Sequence, residues 1–166
     1  MKIITPLFLA ALLFFSSCQD DEVLPAEAKA KLLAGNPGAS KTWKLINGTI
    51  QVNGLDVVER DIDPCQLDDL FKFTNNGDQT YELRGSFLKC NEDDDELLET
   101  GNWAFTLDGS MVIILSDKTS FTGLFNYWNM PFPAEVISLT ETDFKIRMVV
   151  LDDGDTIINI FNFKAV

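Results

Sequence analysis

The side chains able to do chemistry in this 166-residue chain are unevenly chosen. There are three cysteines, twenty-six carboxylates against thirteen basic groups, and no histidine. Without histidine, the commonest general base and the commonest transition-metal ligand are both missing. Serines stand with no base beside them, and no glycine-rich phosphate loop follows a strand pattern. Asp68 and Asp69 could in principle serve glycoside chemistry, yet neighbours on a strand face opposite sides and cannot flank one bond. The sequence therefore reads as non-enzymatic, with no cofactor.

The densest run of acids is Glu92-Asp93-Asp94-Asp95-Glu96. Hard cations such as calcium prefer carboxylate oxygen, so Asp93, Asp94 and Asp95 are weak calcium candidates. Five consecutive acids point in several directions and lack the spaced Asp/Asn/Gly pattern of a calcium loop, which favours a solvated hairpin tip. Asp152-Asp153-Gly154-Asp155 is read in the same way as a tight turn. The aromatic-rich stretch is different. Tyr127, Trp128, Met130 and Phe132 crowd a segment with two prolines, which cannot be an interior strand. Aromatic side chains on a loop point to contact with a sugar, an apolar ligand or another protein, or else to a lid folded onto the core.

Cys18 follows a basic start and an almost unbroken apolar run over residues 3–15. That run has the length of a signal-peptide core and falls short of the ~20 residues a spanning helix needs. Phe15-Ser16-Ser17-Cys18 resembles the bacterial lipobox, in which the leader is cleaved before a cysteine that is then acylated. The division expected is residues 1–17 as signal peptide, 18–25 as a lipidated tether anchoring the chain to a membrane through Cys18, and 26–166 as the domain. Gln19-Asp20-Asp21-Glu22 resembles the export tag of Gram-negative lipoproteins carried to the outer face of the outer membrane. A periplasm-facing anchor is the alternative. Loss of Lys2 with the leader takes the net charge from −13 to about −14, a surface that repels nucleic acid and anionic headgroups.

The elements that must position these groups emerge from periodicity. Residues 26–34 are strong helix formers and stop at Gly35-Asn36-Pro37-Gly38, giving one short helix to plug or pack against the mouth of the fold after it. From Lys41 onward, short alternating runs separated by turn residues take over. Expected strands cover residues 42–52, 70–74, 79–88, 99–107, 111–115, 120–127, 134–140, 144–150 and 157–164. Inward faces are expected to carry Phe71 and Phe73, Tyr81 and Leu83, Trp103 with Phe105 and Leu107, and Phe144, Ile146, Met148 and Val150. The continuous run 111–115 is expected to be buried on both sides or under the helix.

Strands paired about the Asn76-Gly77 turn have opposite positions summing to about 153. Cys65 and Cys90 sum to 155, which sets them at the open end of that hairpin, within reach of a disulfide. An exported chain meets the oxidising conditions that such a bond needs. About eight antiparallel strands in sequence order solve their edge problem by closing, so the fold class expected is all-β: an up-and-down meander barrel with one N-terminal helix. A two-sheet β-sandwich is the alternative.

Leu32-Leu33 before Lys41-Thr42-Trp43-Lys44-Leu45, Asp63-Pro64-Cys65 with Asp68-Asp69 and Phe71-Lys72-Phe73, Lys89-Cys90, Gly101-Asn102-Trp103, and Ile137-Leu139-Thr140 before Phe144 together resemble the lipocalin-like domains of exported bacterial lipoproteins. The resemblance spans roughly residues 28–164. Lys41 stands where the Gly-x-Trp of true lipocalins has glycine. The resemblance implies the barrel and an envelope location, and its members generally have no assigned ligand. Two roles remain open: a binding module holding a small apolar ligand or presenting its rim loops, and an outer-membrane accessory protein that meets an envelope protein through residues 127–132, its barrel filled.

Overall fold

The alternating runs become nine antiparallel strands among the described residues, 23–116 and 132–166, of a computed structural model. In chain order these are β1 (Ser40–Val52), β2 (Val58–Glu59), β3 (Leu70–Thr74), β4 (Thr80–Arg84), β5 (Leu97–Phe105), β6 (Met111–Ser116), β7 (Phe132–Leu139), β8 (Asp143–Asp152) and β9 (Asp155–Ala165), with helix α1 (Pro25–Ala34) before them and the single turn α2 (Pro64–Leu67) ahead of β3. Consecutive strands pair from β3 to β9, β1 pairs with β3, and β9 returns onto β1 from Trp43↔Ala165 to Val52↔Ile157. Eight strands thus close into a barrel, and β2 adds a short extra rung on β1. One closed sheet replaces the sandwich alternative. The leader, Cys18 and the acidic tetrad after it lie outside the described residues, as do Tyr127, Trp128, Met130 and the strand expected over 120–127.

Inward positions fill the barrel with aromatic rings. Trp43, Phe71, Phe73, Tyr81, Trp103, Phe144, Phe161 and Phe163 are all buried. Phe71 meets Phe163 edge-on at 5.4 Å between centroids, and Trp103 meets Phe73 edge-on at 6.1 Å, geometries that the ring quadrupole favours. Helix α1 closes one end, with Leu33 and Ala34 fully buried against this cluster. Its last carbonyls, which a helix leaves without intrahelical partners, are taken by the barrel. Trp43 Nε1 donates to Leu33 O at 2.7 Å, Lys41 Nζ to Leu32 O at 2.8 Å, and Asn75 Nδ2 to Gly35 O at 2.8 Å. From the middle of the helix, Lys29 Nζ donates to Gly109 O at 2.6 Å, in the β5–β6 turn. Pro25, placed at the end of the tether by sequence, is the first residue of this helix.

The β3–β4 register sets Phe71 opposite Leu83 and Phe73 opposite Tyr81, one residue along from the register expected. The left-handed residue of that turn is Gln79 (φ 48°) rather than Gly77. Cys65, on α2, and Cys90, in the loop after β4, are joined by a disulfide with 5.3 Å between their Cα atoms.

Several expectations need correcting. The strand expected over 79–88 ends at Arg84, because the chain then leaves the sheet for the loop that carries Cys90. Leu107 lies past the end of β5 and is exposed rather than inward. Residues 111–115 are not buried on both sides: Val112 and Ile114 face the core and Leu115 is exposed, as a one-layer barrel wall requires. Phe132 and Pro133 are not an irregular loop but the start of β7, with Phe132 opposite Ile114 and Pro133 opposite Ile113. The β7–β8 ladder begins only at Glu135, so the proline, which has no N–H to give, stands where β6 is the single neighbour.

The Gly101-Asn102-Trp103 motif gains a physical reason. A Cβ at Gly101 would lie 1.9 Å from Leu115 O and 2.7 Å from Tyr81 Cε1, so only glycine lets β6 and the tyrosine ring approach. Asn102 Nδ2 holds Asp78 O at 2.9 Å, and Trp103 Nε1 is shared between Thr74 O and Thr80 O. Gly101→Ala should therefore destabilise the fold by about 1–3 kcal/mol through overpacking, measured by chemical denaturation. A loss within a few tenths of a kcal/mol of zero would contradict this close approach.

Candidate functional site

At the end away from α1 the barrel is not filled. β1 breaks register with β9 between Leu45 and Asn47, and inward pointing resumes at Gly48 and continues through Ile50. Across the opening, inward positions of β8 and β9 supply Val150, Ile157, Asn159 and Phe161. The chain between β2 and α2 crosses the mouth, fixed by the Arg60 N–H donating to Gly48 O at 2.9 Å. These residues enclose a half-open cavity of about 590 Å³, within the ~300–1,000 Å³ range of small-molecule sites.

The polar centre of the cavity is Arg60. Its guanidinium lies over the Phe161 ring, 5.6 Å from the centroid, and donates to Asn159 Oδ1. Asn159 is itself buried at 3% exposure. Gly48 leaves room for the same ring, since a Cβ there would stand 3.0 Å from Phe161 Cδ1. Glu59, Asp61 and Asp152 stand at the rim, exposed to water. Apolar side chains also surround this end: Leu55, Val57 and Val58 beside β2, Leu151 at the β8–β9 turn, and Phe87 and Leu88 in the loop after β4. Ser116 and Phe132, between which residues 117–131 run, are the mouth-side ends of β6 and β7.

A smaller cavity of about 200 Å³ lies beside the disulfide, lined by Asp69, Cys90, Asp94 and Asp95 among others. Asp68 and Asp69 are not on a strand, as the opposite-faces argument supposed, but in the step from α2 to β3. Asp68 Oδ2 accepts from the Phe87 and Leu88 amides at 2.8 and 2.9 Å, pinning the loop after β4. Asp69 is buried at 6% exposure, and burial, then the neighbouring Asp68 and Asp94 charges, push its carboxyl up to about 7. The acid run forms a turn, with Asp94 Oδ2 accepting from the Asn91 amide at 2.7 Å. Asp93 and Asp95 are exposed, and no cluster of three or more potential ligands arranged to hold a metal ion occurs among the described residues. Also among them, no helix is long and apolar enough to cross a membrane.

Arg60 and Asn159 were not singled out by sequence, and Asp69 was considered there only as half of an adjacent acid pair. Asn159 did leave a signal: in β9 it shares parity with Ile157, Phe161 and Phe163, a polar residue at an inward position. Arg60 is a lone base between Glu59 and Asp61, with no periodicity to say which way it points.

Fold and site together define a closed, helix-plugged antiparallel barrel with an open mouth. A solved structure described as a surface lipoprotein is similar to it at a TM-score of 0.37 and 10% identity, over 79% of this chain. The chain spans 63% of that protein's length. No protein-family model matches the chain, and no curated protein matches it.

The buried acid gives a signed pH dependence. Asp69 titrates near its ordinary 3.8 when unfolded and near 7 when folded. Between those values the native state holds a proton the unfolded chain has released, so this group's contribution makes stability fall as pH rises through the window. Asp69→Asn should flatten that decline and at pH 8 be more stable than the parent by about 1–3 kcal/mol. Denaturation curves that fall in parallel for both proteins from pH 4 to 8 would refute the assignment.

Proposed function

We propose that this chain is a lipid-anchored, non-enzymatic, lipocalin-like binding module of the Gram-negative outer membrane, which holds a small apolar molecule in its mouth. The observation that carries the reading is the cavity of about 590 Å³ bounded by inward-facing Ile50, Val150, Ile157 and Phe161 above an otherwise packed interior. An interior filled from end to end would favour the accessory role instead.

Location rests on the sequence: the leader, Cys18 as the acylated residue, and the acidic tetrad as a surface-export tag. The geometry adds a direction. Pro25 opens α1 at the plugged end, where the Ala26 amide meets Leu107 O, so the chain enters the domain opposite its mouth. This supports an entrance on the side of the domain away from its lipid anchor. A second reading, contact with an envelope protein, is favoured by the exposed apolar chains around the mouth, Phe87 above all at 93% exposure.

Protein purified from its own cells should carry a retained small molecule visible in native mass spectra, and Val150→Trp, which fills the mouth, should abolish it. A parent spectrum free of any added mass would remove the ligand reading. Cys18→Ala should release the protein from membranes, and external protease should reach the unaltered protein on intact cells. Protection from protease until the outer membrane is broken would favour the periplasm-facing alternative.

A further inference from the structure

We infer that the mouth is selective for an apolar molecule ending in a single negative charge, an aliphatic carboxylate, with Arg60 as the group that reads the charge. This deepens the reading of the mouth as a ligand site and rests on it.

The first ground is the missing counter-ion. Acids outnumber bases two to one in this chain, and the other two of its three arginines find them: Arg84 pairs with Glu82 and Glu96 and Arg147 with Glu135, as Lys41 does with Glu141 and Lys164 with Asp143. Arg60 is half-buried and makes no ion pair among the described residues. Its partners are the neutral Asn159 amide and the face of Phe161. A partly desolvated guanidinium without an anion has lost hydration that neither neutral partner fully replaces.

The second ground is placement. Asn159 Oδ1 occupies one donor and so fixes the orientation of the fork, while the remaining guanidinium N–H groups are left for an oxygen pair in the cavity. The Arg60 backbone is itself tied to Gly48, which keeps the charge over the opening. Below it, Phe161, Ile157, Val150 and Ile50 offer only carbon, suited to an aliphatic body. The rim acids Glu59, Asp61 and Asp152 would favour a cation by charge alone. They are solvated and screened, whereas Arg60 acts at closer range in a drier setting.

Three probes of one chain length separate the possibilities: dodecanoate, dodecanol and dodecyltrimethylammonium, each titrated calorimetrically below its micelle concentration into the unaltered protein and into Arg60→Gln. The expected order for the parent is carboxylate, then alcohol, then ammonium, with the carboxylate at least about tenfold ahead of the alcohol. In Arg60→Gln that advantage should vanish, with alcohol affinity kept within about threefold. Asn159→Leu, which frees the fork, should reduce the advantage without abolishing it. Equal binding of carboxylate and alcohol by the parent, or tightest binding of the ammonium, overturns the charge selectivity and leaves the apolar site standing. Absence of binding by all three overturns both. Should Arg60→Gln fail to fold, the parent order and the Asn159→Leu titration still decide.

Discussion

β1 must lie against β9 along most of its length while its other edge is divided between β3, at Ser40 to Lys44, and β2, at Thr49 and Ile50. A straight strand of uniform alternation cannot do this and also keep its inward face inward. The irregularity at Ile46 and Asn47 leaves two successive residues outside and restores inward pointing at Gly48, the bend that bulges supply at barrel rims. The consequence reaches across the molecule. Because β3 leaves β1 so early, the upper half of β1 has to be covered by irregular chain, and that chain brings Ile62 into the core and Arg60 over the mouth.

The plugged end shows the complementary solution. Two residues before the first-strand tryptophan stands Lys41, and the lysine is used. Its ammonium takes Leu32 O, pairs with Glu141 at 2.7 Å and stands 5.4 Å from the Trp43 ring. The hydrogen bond from Lys41, with its positive charge, holds the Glu141 carboxyl below its usual range. Since Glu141 is exposed, the pair itself adds little stability. Its value lies in satisfying a helix carbonyl that burial of α1 would otherwise leave without water. Trp43 does the same for Leu33 O from inside, so the helix is held by its own backbone as much as by its apolar face.

The sequence made the wall of this barrel legible and its mouth illegible, for one physical reason. A wall has a period of two, so Phe71 with Phe73, Tyr81 with Leu83, and Phe144 with Ile146 and Met148 announce their faces. Closure was legible from strand order, and the disulfide from the hairpin register, because both depend on counting residues. The mouth is built where counting fails. Arg60 lies in an aperiodic crossing, Gly48 comes after an irregularity, and α2 is a single turn, too short for any helical period. Pro133 misled because proline is penalised in a strand flanked on both sides, while β8 has not yet begun to pair with β7 at that position. Polar residues out of phase with the apolar pattern are the exception that could have been used: Asn159 in β9 interrupts an inward apolar series, and Glu99 in β5 lies at the inward parity of Trp103 and Phe105.

Those two out-of-phase residues divide the interior into different environments. Glu99 is buried at 2% exposure and receives the Tyr81 hydroxyl, a polar pair enclosed by protein deep in the barrel. There the hydroxyl meets the carboxylate's need for a donor, and the surrounding aromatic core gives the pair a fixed place. Asn159 is as deeply buried, yet its partner Arg60 comes from outside the barrel wall and remains partly open to solvent. The difference decides what each can do. A pair enclosed by the core helps to specify its packing. A cation held by a neutral amide and a ring face, at the edge of a cavity with an apolar floor, has its geometry set while it makes no ion pair among the described residues, which is the condition under which a ligand gains the most from supplying the opposite sign.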